Sequence, residues 1–215
     1  MGDHKSYVKY ELTNGKLIYR GDTMTSAWVP IKNYIKLMMH VQTIPEQDMW
    51  ELYFFRNTGK IELPSEAGRF LQLTHSVGNF IPVPEGFNKG RSGEYAKWDF
   101  WDLTLNQIFM WYNDNADLTK SRCHDALNRL FTYADDKDVV GRCEAWLEMF
   151  GTWENFIKEN YLEAFINEQG MPKVFFFGHS LDDPLPKTFE EFETFFKNVN
   201  ECIEQRGKQI VDMSK

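Results

Sequence analysis

The sequence predicts an α+β fold that is mainly helical, with a small N-terminal β-hairpin and a short later strand packed on about seven helices. Three observations carry this expectation. An Asn-Gly pair at 14–15 lies between two β-rich runs. Apolar residues recur at helical spacing in most segments, and most plainly after Trp98. Proline, serine or threonine stands at the head of several of these runs, where helices need caps.

The elements follow in order. Residues 7–12 and 16–19 flank Thr13-Asn14-Gly15, and both Asn and Gly tolerate the positive φ of a tight hairpin turn. Arg20-Gly21-Asp22 then ends the second strand. Thr25 and Ser26 can cap a helix that carries Pro30 in its first turn and Ile31, Ile35, Leu37 and Met38 beyond it. A second helix opens at Thr43 and runs through Met49, Trp50, Tyr53 and Phe54 to a stop at Asn57-Thr58-Gly59. Pro64-Ser65-Glu66 opens a third, with Phe70, Leu71 and Leu73 along one side. Glycine and proline at 78, 82, 84, 86, 90 and 93 then make residues 75–92 read as an irregular loop.

Beyond it, Trp98, Trp101, Leu105, Ile108, Phe109 and Tyr112 keep helical spacing, and residues 121–133 and 139–150 are amphipathic. Thr152 caps a helix over 153–166 that Gly170 and Pro172 terminate. Val174-Phe175-Phe176-Phe177 reads as a short buried strand or an extended segment laid on helices. Thr188 and Glu191 form a capping box at the head of a last helix carrying Phe192, Phe195, Phe196, Val199 and Ile203. No repeat or linker interrupts the chain, so one domain over 1–215 is expected, with 1–6 as a disordered tail.

Composition bounds the function. A chain of 215 residues buries roughly 70% of its unfolded surface and needs no disulfide or metal staple. Its 18 Phe and 7 Trp exceed ordinary use, so some rings are free to line a groove once a core is filled. The net charge of −8, without a Lys/Arg cluster, disfavours direct nucleic-acid binding and suits a basic protein partner. Cys123, Cys143 and Cys202 show no paired spacing, which fits a reducing compartment. With no apolar leader and no membrane-length apolar run, the expected location is the cytoplasm. No cofactor and no metal is expected.

Chemistry is sought in residues 75–92. Asn79, Asn88, Arg91 and Ser92 offer directional hydrogen bonds, with Arg91 as an anion clamp, and they are the candidate ligand-binding residues. The competing reading is an Ω-like loop whose asparagines satisfy their own backbone. His75 and Asp102 are the candidate catalytic groups. Asp99 and Asp102 lie three apart in the first turn of a helix. Carboxylates there complement the helix dipole, and as a pair they could also face a pocket. His124 and His179 are isolated, and none of the common zinc, phosphate-loop or nucleophile-elbow signatures is present.

Two resemblances attach to these residues. Tyr-Arg-Gly-Asp-Thr-Met-Thr-Ser at 19–26, Ser-Val-Gly-Asn-Phe-Ile-Pro at 76–82 and Asp-Leu-Thr-Leu at 102–105 resemble a bacterial and phage family known as a domain of unknown function. The likeness continues through Phe-Gly-Thr-Trp-Glu-Asn-Phe at 150–156 to Glu-Gln-Arg-Gly at 204–207. That family implies an architecture and a bacterial or phage origin, and no activity. More locally, His75-Ser-Val-Gly-Asn-Phe80 followed by Phe87-Asn88 is similar to the second half of the HNH-like nuclease domain of modification-dependent restriction enzymes. The upstream box of that domain has only His40-Val-Gln-Thr-Ile-Pro45 to stand for it, without an Asp before the His.

Three functions are therefore weighed. The first is an accessory protein that binds another macromolecule and inhibits or modulates it. The second is an enzyme or binder of a phosphorylated, nucleotide-like small molecule at residues 75–92. The third is a degenerate HNH-like, metal-dependent nuclease. The acidic charge, the many rings and the lack of a complete catalytic set favour the first.

Overall fold

The computed structural model describes residues 19–44, 63–91, 100–115, 123–132, 134–175, 179 and 183–213. The fold is α+β and mainly helical. The described elements are β1 (Tyr19–Thr23), α1 (Trp28–Met39), α2 (Ser65–Leu73), a 3-10 turn (Val77–Asn79), β2 (Phe80–Pro84) and α3 (Phe87–Arg91). They continue as α4 (Trp101–Asn115), α5 (Cys123–Leu130), α6 (Val139–Glu148), α7 (Trp153–Glu159), a 3-10 turn (Glu163–Phe165) and α8 (Phe189–Met213). The expected hairpin turn at Asn14-Gly15 and the expected second helix lie outside the described residues. No described helix is long and apolar enough to cross a membrane.

The chain's contacts gather into two compact units. The first comprises Met1–Met24 and Phe80–Lys173, the second Thr25–Asn79 and Val174–Lys215.

In the first unit β1 pairs antiparallel with β2, from Tyr19 opposite Pro84 to Thr23 opposite Phe80. The strand expected over 16–19 and ended by Arg20-Gly21-Asp22 instead continues to Thr23, and residues 80–84, expected to be irregular, pair with it. Pro82 and Pro84 are two apart, so both can take ladder positions whose N–H would face away from the partner strand. A two-stranded ribbon is marginal alone, and here Ile81 and Val83 are buried while β2 packs on α6. Phe87, fully buried, stands at the centre of this unit, with the rings of Trp101, Phe131 and Trp146 at 6.5, 5.5 and 5.7 Å. A ring buried this completely contributes roughly 1.5–3 kcal/mol.

The helix expected over 153–166 is shorter in the structure. Thr152 caps it as expected, its Oγ1 accepting from the Asn155 N–H at 3.2 Å. It ends at Glu159 because Tyr161 takes a φ of 55°, outside the right-handed helical region.

The second unit is organised along α8, against which α1, α2 and the 3-10 turn at 77–79 pack. Tyr34, Phe70, Phe192, Phe195 and Phe196 form its buried ring cluster. Around the rings, Arg69 makes a two-pronged bond to Glu204 at 2.9 and 2.5 Å. Asn200 donates to the carbonyl and the carboxylate of Glu66, both at 2.9 Å. Val174 and Phe175 carry no strand, and the Phe175 ring lies edge-on to Phe195 at 6.2 Å; Phe176 and Phe177 lie outside the described residues.

The capping box forms as the sequence predicts. Thr188 Oγ1 accepts from the Glu191 N–H at 3.2 Å, and Glu191 Oε2 accepts from the N–H groups of Lys187 and Thr188 at 2.6 and 3.3 Å. The Lys187 N–H bond, then those from the His179 ring and the Thr188 N–H, hold the Glu191 carboxyl below its ordinary 4.5. A carboxyl whose pKa is lowered by folding contributes stability above its unfolded pKa and loses it as pH falls through the folded value. Acid titration of unfolding between roughly pH 6 and pH 3 should therefore show a fall in stability. In Glu191→Gln that fall should be shallower; an unchanged acid limb would remove Glu191 from the account.

Candidate functional site

Residues 75–92 hold a 3-10 turn, a strand and a short helix instead of an irregular loop. Glycine and proline serve close packing here. The 3-10 turn lies directly on α8: a Cβ on Gly78 would stand 2.0 Å from the Ile203 carbonyl oxygen. Arg206 donates from Nη1 to the carbonyls of Val77 and Gly78, at 3.2 and 2.8 Å. The Ser-Val-Gly-Asn and Glu-Gln-Arg-Gly segments thus meet as the two halves of one joint.

The residues selected for chemistry divide between the two units. His75 is exposed, in the second unit. Asn79 has no exposed surface; its Oδ1 accepts from the Thr25 N–H at 3.1 Å, and its Nδ2 donates to the carbonyls of Thr25 and Thr74, each at 2.9 Å. These bonds occupy both polar ends of the amide. It is a brace between the chain before α1 and the end of α2.

Arg91, in the first unit, is also fully buried. Its Nη2 donates to the carbonyls of Thr23 and Met24 at 3.0 and 3.3 Å, and its Nη1 to Thr104 Oγ1 at 3.3 Å. The rings of Phe87 and Trp101 lie 5.5 and 5.7 Å from the guanidinium carbon. Thr104 belongs to the Asp-Leu-Thr-Leu segment, and Thr23 and Met24 to the segment at 19–26. This guanidinium therefore joins two of the family-like segments and is placed as an internal clamp, away from solvent. Asp102 is buried in the first turn of α4, at 5% exposure. Ser92 and Asp99 lie outside the described residues.

Asn88 is exposed and lines a cleft of about 450 Å³ between residues 83–90 and 134–136. Gly86, at a φ of 85°, turns the chain at its edge. Arg142 holds the wall by donating from Nε to the Glu85 carbonyl at 3.0 Å and pairing with Asp136. The hydrogen bond that Arg142 Nη2 donates to Asp136 Oδ2 is the main cause holding the Asp136 carboxyl below its ordinary value. Glu85, Asp135 and Asp136 give the cleft an acidic lining, with Lys89 3.4 Å from Asp135. Such a lining is poor for a phosphate. Among the described residues, no three His, Cys, Asp or Glu side chains are placed to hold a metal ion.

A larger groove, of about 660 Å³, also lies in the first unit. Phe109, Trp111, Tyr112 and Asn113 of α4 form one wall, and Glu148, Gly151, Thr152, Trp153 and Glu154 another. Gln169 and Gly170 close it. Its rings are fixed from behind: the Trp153 indole N–H donates to the Gly170 carbonyl at 2.8 Å, and the Tyr112 hydroxyl to the Leu147 carbonyl at 2.7 Å. Phe109 meets Trp153 edge-on at 5.2 Å. Gly151 and Gly170 take φ values of 73° and 77°, turns that glycine adopts without strain. The sequence favours core for most rings and leaves some for a groove, without naming which. The signal available was Phe-Gly-Thr-Trp-Glu at 150–154, a glycine turn running into a capped helix with its indole at the first position.

These features define a mainly helical α+β protein in which Asn79, Arg91 and Asp102 are internal, His75 and Asn88 are exposed, and one groove is lined by aromatic residues. The chain belongs to the family of unknown function DUF6994, whose profile matches residues 2–210. No curated protein and no solved structure matches it.

Three substitutions test this assignment of roles. Arg91→Met keeps the apolar stem but leaves buried carbonyls unanswered, at about 1–3 kcal/mol per group, and should lower unfolding stability accordingly. Gly78→Ala should cost about 1–3 kcal/mol by overpacking, while Gly141→Ala, which meets nothing within 4 Å in a helix, should stabilise by roughly 0.5–1 kcal/mol. Denaturant unfolding of all three decides; a neutral Gly78→Ala would deny the joint.

Proposed function

We propose that the protein acts by binding another macromolecule, specifically a protein partner, as a cytoplasmic accessory or modulator of bacterial or phage origin. The observation that carries this reading is the 660 Å³ groove walled by Phe109, Trp111, Tyr112 and Trp153. Phe109 is half-buried and Trp111, Tyr112 and Trp153 back the groove as buried rings, a firm floor that loses little freedom on binding. Exposed Met149 and Met171 follow the lining residues Glu148 and Gly170 in the chain, adding adaptable apolar surface beside the groove. The net charge of −8 supports a partner of opposite sign. Weight moves away from a phosphorylated ligand at residues 75–92, because Asn79 and Arg91 direct donors to backbone carbonyls.

Site-directed photocrosslinking tests the reading. A benzophenone side chain at exposed Asn113, in the groove, should trap a discrete protein that the same probe at exposed Glu201 of α8 does not. Asn113→Trp, which fills the groove, should weaken capture of that protein roughly tenfold or more. Its stability should stay within about 0.5 kcal/mol of the parent, as for most surface changes. Equal trapping at both positions, or none, would overturn the assignment to the groove.

A further inference from the structure

His179, Asp183, Lys187 and Glu191 stand at every fourth position ahead of and into α8. The fold joins them as two pairs: Lys187 Nζ with Asp183, and His179 Nε2 with Glu191 Oε1 at 3.2 Å. Histidine is the side chain whose charge ordinarily changes between pH 5 and 8. Of these two pairs, only the second therefore gains or loses an ion pair near neutrality.

We propose that His179 and Glu191 form a proton-operated latch at the head of α8, closed when the ring is protonated, which firms the turn at 183–187. Glu191 is the pivot. Its Oε1 faces the imidazole, while its Oε2 accepts from the N–H groups of Lys187 and Thr188 at 2.6 and 3.3 Å. A neutral ring offers Nε2 a proton in one tautomer only, whereas a protonated ring donates from both nitrogens. The bond to the carboxylate then becomes charge-assisted, the stronger class. With a neutral ring the four side chains leave one net negative charge; with a protonated ring they leave none.

The surroundings suit such a device. The His179 and Glu191 side chains are 24% and 20% exposed, so protons reach the ring while water screens the pair only in part. The Lys187 N–H bond, then the His179 ring and the Thr188 N–H, hold the Glu191 carboxyl below its ordinary 4.5. The carboxylate is therefore charged across the whole range in which a histidine switches. Asp183, lowered mainly by its bond to Lys187, is the second acid that feels the His179 charge. The turn matters because Leu185, Pro186 and Lys187 wall a groove of about 600 Å³ in the second unit. Lys36, Leu37 and His40 line its other side. A closed latch holds the first wall firm in mild acid, and an open one loosens it as pH rises.

Amide hydrogen exchange of the full chain at about pH 5.5 and 7.8 tests the latch. Rates are expressed as protection factors, which remove the intrinsic pH dependence of exchange. The Lys187 and Thr188 amides should be at least roughly twofold better protected at the lower pH. His179→Gln keeps a donor but cannot gain charge, and should abolish that rise. Glu191→Gln should abolish it too, and His40→Gln, across the groove, should keep it. A flat response in the parent, or an undiminished rise in His179→Gln, would overturn the proposal. So would loss of the rise in His40→Gln, or an equal rise at the amides of α4, which would report global stability instead.

Discussion

The first unit depends on a buried positive charge. Moving a guanidinium out of water costs several kcal/mol unless hydrogen bonds and nearby density replace its hydration. Arg91 obtains that replacement from the last residue of β1, from Met24, from Thr104 on α4 and from two flanking rings. An arrangement that displaced α3, α4 or the end of β1 would strand this charge. The clamp therefore fixes the register in which three distant segments meet. It also gives a physical reason for a hydroxyl-bearing residue, Thr, at 104.

Local signals carried the helices, and non-local pairing escaped them. Thr152 and the Thr188–Glu191 box announce helix starts because capping is a matter of a few adjacent groups. By contrast, α1 and α2 begin near Pro30 and at Ser65 with no side-chain bond from their N-cap residues, Ala27 and Pro64. The pairing of Tyr19 with Pro84 has no such local mark, and the prolines of β2 disguise it as a loop. The same limit applies to the site. Residue type identifies Asn79 and Arg91 as strong hydrogen-bonding groups, but not whether they face a ligand. Their partners are 54 and 67 or 68 residues away along the chain. The aromatic groove draws on three separate stretches, and only their folding together turns core-type residues into a wall.

The two units divide labour in chemical character. In the first, aromatic side chains form the core around Phe87 and, as the largely buried Trp111, Tyr112 and Trp153, back the groove. In the second, rings are buried along α8, and its polar network of Arg69, Glu204, Asn200 and Arg206 is spent on internal bonds. The groove thus stands on a scaffold whose rings are held by packing and backbone hydrogen bonds, the condition under which binding energy is not consumed in ordering the site.

The contact between Gly78 and α8 has a consequence for how the protein is made. Arg69 finds Glu204 across 135 residues, and Arg206 finds Val77 across 129. During synthesis the first unit's residues through Lys173 emerge before α8 does. Through that interval the 3-10 turn and α2 lack the surface that completes them. On the ribosome the second unit is the later to close, and its early half is the stretch most in need of protection from aggregation or a chaperone's hold.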